Sequence, residues 1–300
     1  MQEISENIRL MRKRKRRRNL LKSKITRILT LSIVLVVGMK FGDIWNKNQN
    51  KELSKTNTQV NTQLKYTGYK NPNSELLEKL KEMAKTNTKV LEILNQSEQY
   101  PEEILELLAG NEETVDFVFN YPAKQGTGTD ESLGEISNND IPELIQWDER
   151  WGYKNYGESI LAISGCGPTA LSMVAAGLTG DNSITPYVVA KYAEDNGYYV
   201  EGIGTGWSLM TEGSLNFGVK GTELSLSRDS VFSELANGNP IICSMRPGDF
   251  TTTGHFIVLV GIENGMIRVN DPNSKERSSK FWDYNTLERQ IRNLWVFSNN

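Results

Sequence analysis

A glycine-flanked cysteine that runs straight into an apolar helix, Ser164-Gly165-Cys166-Gly167-Pro168-Thr169-Ala170-Leu171, most constrains what this chain can fold into. Proline lacks an amide hydrogen and has a fixed φ, which suits the first turn of a helix and disrupts later ones. With Leu171, Met173, Val174 and Leu178 as a buried stripe and Gly180 just past the end, the spacing predicts a helix from roughly Gly167 to Leu178. Cys166 then sits at the helix N-terminus, where unpaired amides and the macrodipole stabilise a thiolate. The adjoining glycines, Gly165 and Gly167, leave space for a substrate carbonyl to approach the sulfur. A cysteine in such a place also fits a small buried hydrophobe, so its meaning depends on what the rest of the chain supplies.

One histidine and two cysteines among 300 residues exclude a histidine-rich metal cluster, a zinc-finger array and a multi-disulfide scaffold. Imidazole chemistry therefore falls to His255 alone. That residue lies in Gly254-His255-Phe256-Ile257-Val258-Leu259-Val260-Gly261, a strand pattern, and Met266 to Asn270 returns beside it after Glu263-Asn264-Gly265. Loop length decides which side chains meet, because a slip of one residue sends them to the opposite face. A two-residue turn would pair Asp271 with Val258, pointing it away from His255, and would favour Asn270 as the histidine's partner. A three-residue loop, with Gly265 left-handed as a bulge, pairs Asp271 with Ile257 and places it on the face of His255, about 7 to 8 Å away at the backbone. The three-residue loop is the expected arrangement.

A thiolate at a helix start, an imidazole on a strand and a carboxylate one strand over are the parts of a Cys-His-Asp hydrolase, in the chain order of papain. The motifs GCGPTALSMV, GHFIVLVGI and VNDPNS together resemble the double-glycine (bacteriocin-processing) peptidase family and its stand-alone relatives in the papain-like clan. The likeness runs from about residue 141 to 296, and more weakly into YPEEILELL and DFVFNYP. It implies a papain-like fold in which the helix bearing the cysteine packs on an antiparallel sheet bearing His and Asp. It further implies Cys166 as nucleophile, His255 as general base, Asp271 as its orienting partner, and Gln146 completing the oxyanion hole. The usual glutamine lies a few residues before the cysteine, where this chain has Ile160, whereas Gln146 stands twenty residues upstream. The other reading of Gln146 is a surface-loop residue held by Trp147 and Trp151. Gly254 and Trp207 join Gly165 and Gly167 as candidate substrate-binding residues.

Helices at 185–197, after 204–207 and at 229–237 are expected to stand beside strands at 240–245, 255–262, 266–270 and 293–298, an α+β arrangement. Cys243, in Pro240-Ile241-Ile242-Cys243, reads as packing. A zinc site from Cys166, Cys243, His255 and Asp271 lacks ligand spacing, so neither metal nor cofactor is expected.

Ahead of this domain the charge is lopsided. Residues 1–27 hold eleven Lys/Arg against two Glu, leaving 23 basic and 35 acidic side chains in the remainder. An acidic body offers no field for nucleic acid. The uncharged run ILTLSIVLVVGM at 28–39, bracketed by Arg27 and Lys40, reads as part of a membrane anchor over 28–45, with 1–27 cytoplasmic and the body outside. Secretion after cleavage is the alternative, less favoured because no alanine precedes Ala84. Residues 46–73 read as a polar tether, 74–121 as three or four short helices capping the next domain, 122–140 as a linker and 141–300 as the peptidase domain. The expected function is a membrane-anchored extracytoplasmic cysteine peptidase with a peptide or protein substrate. The alternatives are a silent peptide- or cell-wall-binding module on the same fold, or a peptidoglycan amidase or endopeptidase. The position of the helical cap before the domain also raises occlusion of the cleft.

Overall fold

The computed structural model describes residues 74–129, 131–136 and 140–300. The basic stretch 1–27, the anchor 28–45 and the tether 46–73 lie outside the described residues. Among those described, no helix is long and apolar enough to cross a membrane.

Four helices come first: α1 (Ser74–Ala84), α2 (Thr88–Asn95), α3 (Glu102–Gly110) and α4 (Val115–Lys124). Asn87 starts α2 by accepting the Lys89 amide on its side chain at 3.0 Å, which satisfies one of the orphan donors of the first turn. Leu80, Val90, Ile93, Ile104, Leu108 and Val118, at the helical spacing of the sequence, are buried. The core they form is shared: Ile145, Trp147, Tyr153, Ile160 and Ala162 of the following domain belong to it. The Phe117 and Tyr153 rings stack at 4.1 Å, and the Tyr153 hydroxyl donates to the Phe117 carbonyl at 2.8 Å. Helix α4 continues through Pro122 to Lys124, past the start assigned to the linker. Proline removes one helical hydrogen bond there, near the helix end where few remain to be made.

The domain itself begins with a short ribbon, β1 (Asn155–Tyr156) and β2 (Ser159–Ile160), then α5 (Leu161–Ser164), α6 (Cys166–Thr179) and α7 (Pro186–Asp195). A second ribbon follows, β3 (Tyr199–Val200) and β4 (Gly204–Thr205). Where a third helix was expected, the chain makes two 3-10 turns, Trp207–Met210 and Gly213–Phe217. Gly218, left-handed at φ 74°, stops the second of them. Next come β5 (Val219–Glu223), α8 (Arg228–Ala236), β6 (Ile241–Met245), β7 (His255–Glu263) and β8 (Met266–Asn270). The chain ends with α9 (Lys275–Ser278), β9 (Phe281–Trp282), α10 (Tyr284–Glu288) and β10 (Ile291–Asn299).

The six longest-range strands form one antiparallel sheet in the order β5-β10-β6-β7-β8-β9. Alternation splits its side chains between two cores. Ile242, Phe256, Val258, Trp295 and Phe297 face α6 and α7, while Cys243, Ile257, Leu259, Ile267 and Leu294 face α8 and α10. Helix α6 is buried from Gly167 to Leu178 on every side rather than along one stripe, because α7, the sheet and the chain at Ile141 enclose it.

The β7–β8 turn corrects the expected loop. Glu263 pairs with Met266, so only Asn264 and Gly265 connect the strands, at φ 50° and 76°, the positive angles of a tight hairpin turn. The register then shifts between Leu259 and Gly261, where Val260 is the extra residue of a bulge. Beyond it Leu259 opposes Val269 and Val258 opposes Asn270, so the continued ladder sets Asp271 against Ile257. The expected register is reached by a bulge in the strand instead of a longer loop.

Candidate active site

Cys166 is the first residue of α6, partly exposed, with Gly165 as the N-cap. The Gly165 amide closes α5 on the Leu161 carbonyl at 2.8 Å, and the Gly165 carbonyl accepts from Thr169 at 3.0 Å, so one turn flows into the next around the cysteine. The glycines on either side are demanded by packing. A Cβ on Gly165 would lie 2.4 Å from the Leu161 carbonyl oxygen, and one on Gly167 would lie 2.7 Å from the Thr205 side chain.

His255 opens β7 and is 8% exposed; Asp271, one residue past β8, is fully buried. His255 Nε2 lies 2.7 Å from Asp271 Oδ1. An ionised carboxylate only accepts, so Nε2 carries the proton, and Cys166 is among the groups whose interaction the ring feels. Burial disfavours the imidazolium, but Asp271 and Cys166 together overcome it and raise the histidine to about 10. Asp271 is shifted the other way. Burial opposes its ionisation, and His255 with the Arg277 guanidinium, whose Nε donates to Oδ2, holds it below the ordinary carboxylate range. The Asn273 amide also donates to Oδ1 at 2.7 Å. Asn270 is engaged elsewhere, its side chain donating to the Ile141 and Pro142 carbonyls.

Gln146 is brought to the same place despite its distance in sequence, and it is 3% exposed. Its backbone amide donates to the Pro272 carbonyl at 2.7 Å, next to Asp271. Its side-chain Nε2 donates to the carbonyls of Ala162 at 2.7 Å and Ile163 at 3.3 Å, in the turn that delivers Cys166. Oε1 is buried without a hydrogen-bond partner. Gln146 is thus a core residue tied to the turn that precedes the cysteine, and its side-chain Nε2 is directed at carbonyls.

The remaining candidates are spread wider. Gly254 is exposed beside His255, and its carbonyl accepts from the Thr251 hydroxyl at 3.1 Å. Trp207, 41% exposed, stands edge-on to Trp295 at 5.5 Å with the Arg292 guanidinium over its face. Trp295 in turn approaches Phe256, the neighbour of His255. Cys243 is buried on the far face of the sheet, and burial pushes its thiol up, away from the thiolate. Arg277 escaped the sequence reading. A signal was present in Ser274-Lys275-Glu276-Arg277, because a serine cap starts a short helix that aims residue 277 back at Asp271.

A helix headed by a thiol, packed on an antiparallel sheet that carries a paired histidine and aspartate, defines a papain-like fold. The Peptidase_C39 like family matches residues 138–299, more than half of the chain, and the chain belongs to that family. Among curated proteins nothing matches. Among solved structures the chain is similar to the peptidase domain of Streptococcus ComA, a bi-functional ABC transporter involved in a quorum sensing pathway. That pair is 20% identical with a TM-score of 0.36, covering 46% of this chain and 93% of the other. It is also similar to a double glycine motif protease from an AMS/PCAT transporter, in complex with the leader peptide, at 15% identity and a TM-score of 0.33, covering 55% and 98%. A C39-like peptidase from Bacillus anthracis is 15% identical with a TM-score of 0.31, covering 54% and 96%.

Proposed function

We propose that this protein is a cysteine peptidase acting outside the cytoplasm, held at the membrane by residues 28–45. The observation that carries the reading is the buried His255–Asp271 pair at 2.7 Å, with Cys166 among the groups that raise the histidine. In this scheme the Cys166 thiolate attacks the carbonyl carbon of a peptide bond. The Cys166 amide at the start of α6 donates to the developing oxyanion, and one Gln146 N–H joins it by leaving its longer bond, the one to Ile163. His255 hands its proton to the departing amine, leaving a thioester. Water, deprotonated by His255, then attacks the thioester, releases the carboxylate and restores the thiol pair. Asp271 keeps the imidazole in the tautomer that presents Nδ1 to sulfur.

Alkylation of the full-length protein with iodoacetamide across pH 4 to 9, read by mass spectrometry, tests the reading. The expected result is fast labelling of Cys166 at low pH, slowed by His255→Ala, with Cys243 unlabelled. An ordinary thiol profile at Cys166 would overturn the peptidase and favour a peptide- or cell-wall-binding module. A peptide library then reports turnover, which Cys166→Ala should abolish. Protease shaving of intact cells tests the topology, with loss of the 141–300 domain expected and full protection excluding an external site.

A further inference from the structure

Arg277 and Glu113 take no part in the chemistry above, yet between them they hold the carboxylate that serves it. Asp271 is anchored on three sides: Oδ1 to His255 and the Asn273 amide, Oδ2 to Arg277 Nε, and its own amide to the Ser278 hydroxyl at 2.9 Å. Arg277 and Ser278 both belong to α9, four residues long. Trp282 steadies this element from β9 by donating to the Arg277 carbonyl at 3.0 Å. Its other end is held from the helical segment. The Glu113 carboxylate accepts from the Ser274 hydroxyl and from the amides of Lys275 at 2.9 Å and Glu276 at 3.3 Å. Asn111 adds a hydrogen bond to the Asn273 carbonyl.

We infer that Arg277 is a positioning residue for Asp271, seated by Glu113, so that the helical segment is a working part of the active site. The inference rests on the peptidase reading. Its physical basis is twofold. The guanidinium bond on Oδ2 fixes the carboxylate plane and so aims Oδ1 at Nε2. The guanidinium charge also keeps a fully buried aspartate ionised, without which the imidazolium loses its counter-charge and the thiolate its partner. Of the charged groups around it, Cys166 and Asp271 face His255, while His255 and Arg277 face Asp271. Glu143 senses Asp271, Glu113, Lys275 and Arg268 from outside, and Glu276 senses Arg277. An Arg277 variant removes only the guanidinium from this set and leaves the other side chains in place.

The test is the pH profile of Cys166 alkylation in the full-length protein, with thermal melts alongside. In Arg277→Gln the acid limb moves up by about one pH unit, as expected for a carboxylate that loses an arginine partner, and Arg277→Lys restores most of the shift. Glu113→Ala moves the limb in the same direction, and combining it with Arg277→Gln adds nothing further, because both act through one contact. A wild-type limb in Arg277→Gln overturns the positioning role, and additive shifts overturn the link to Glu113. Should Arg277→Gln fail to fold, Glu113→Ala carries the test, an unshifted limb being the refuting result. An ordinary thiol profile in the wild-type protein refutes the peptidase reading itself.

Discussion

His255 interacts with two acids of different kinds, the Asp271 carboxylate on Nε2 and the Cys166 thiol, and this sets how its charge responds to pH. Its folded value of about 10 lies above the unfolded value of about 6.5. Its contribution to stability is therefore complete below pH ~6.5 and lost as pH rises through about 10. Asp271 is depressed, so its contribution is present above about pH 3.9 and lost as pH falls through its folded value. As the only histidine in the chain, His255 gives a single imidazole signal in NMR. That signal should titrate near pH 10 in the wild type and lower in Cys166→Ala, where the thiolate is gone. A midpoint that stays put in Cys166→Ala would separate the thiol from the imidazole.

At the scale of elements, the site is set by two turns whose glycines do different work. Gly165 lets α5 and α6 meet around Cys166, and a Cβ there would press on a backbone oxygen that cannot rotate away. Gly165→Ala should cost about 1 to 3 kcal/mol and also slow Cys166 alkylation, because the start of α6 must move. Gly265 is free of neighbours but left-handed at φ 76°. Gly265→Ala should cost about 1 to 2 kcal/mol through backbone strain and leave alkylation unchanged. Chemical denaturation with parallel labelling distinguishes the two, and equal labelling in both variants would contradict the close fit at Gly165. The Val260 bulge explains why hairpin arithmetic can be right about the pairing of Asp271 and wrong about the loop. One extra residue shifts the register equally wherever it is inserted, and Gly261 was the mark of its true place.

In the molecule as a whole, the helical segment and the peptidase domain share a core rather than an exposed seam. Ile104, Leu108 and Val118 pack in one cluster with Trp147, Tyr153 and Ile160. Neither side of that cluster is complete alone, so the described body should unfold in one step. Far-UV circular dichroism, which follows all the helices with α1–α4 among them, and tryptophan fluorescence, which includes Trp147 and Trp151 at the junction, should give coincident urea transitions. An earlier dichroism transition would show that the helices are held loosely. The helical segment also reaches the turn that follows Asp271, through Asn111 and Glu113.

Much of this was legible in the chain because it depends on local chemistry. Pro168 and Gly180 bound the helix that presents Cys166, Thr185 caps α7 where expected, and apolar runs bounded by turn residues mark the sheet from β6 to β8. Short β5, with a glycine and polar residues, carries no apolar run to mark it, and its place at the sheet edge comes from pairing with β10. The order of residues by itself determined which groups are available: one imidazole, one thiol at a helix start and an aspartate after a strand. Only the tertiary structure decided which of them meet. The bulge at Val260, the delivery of Gln146 to the turn before Cys166 and the brace from Glu113 through α9 to Asp271 each join residues far apart in the chain. Such contacts are set by packing, which acts between surfaces that exist only once the chain has folded.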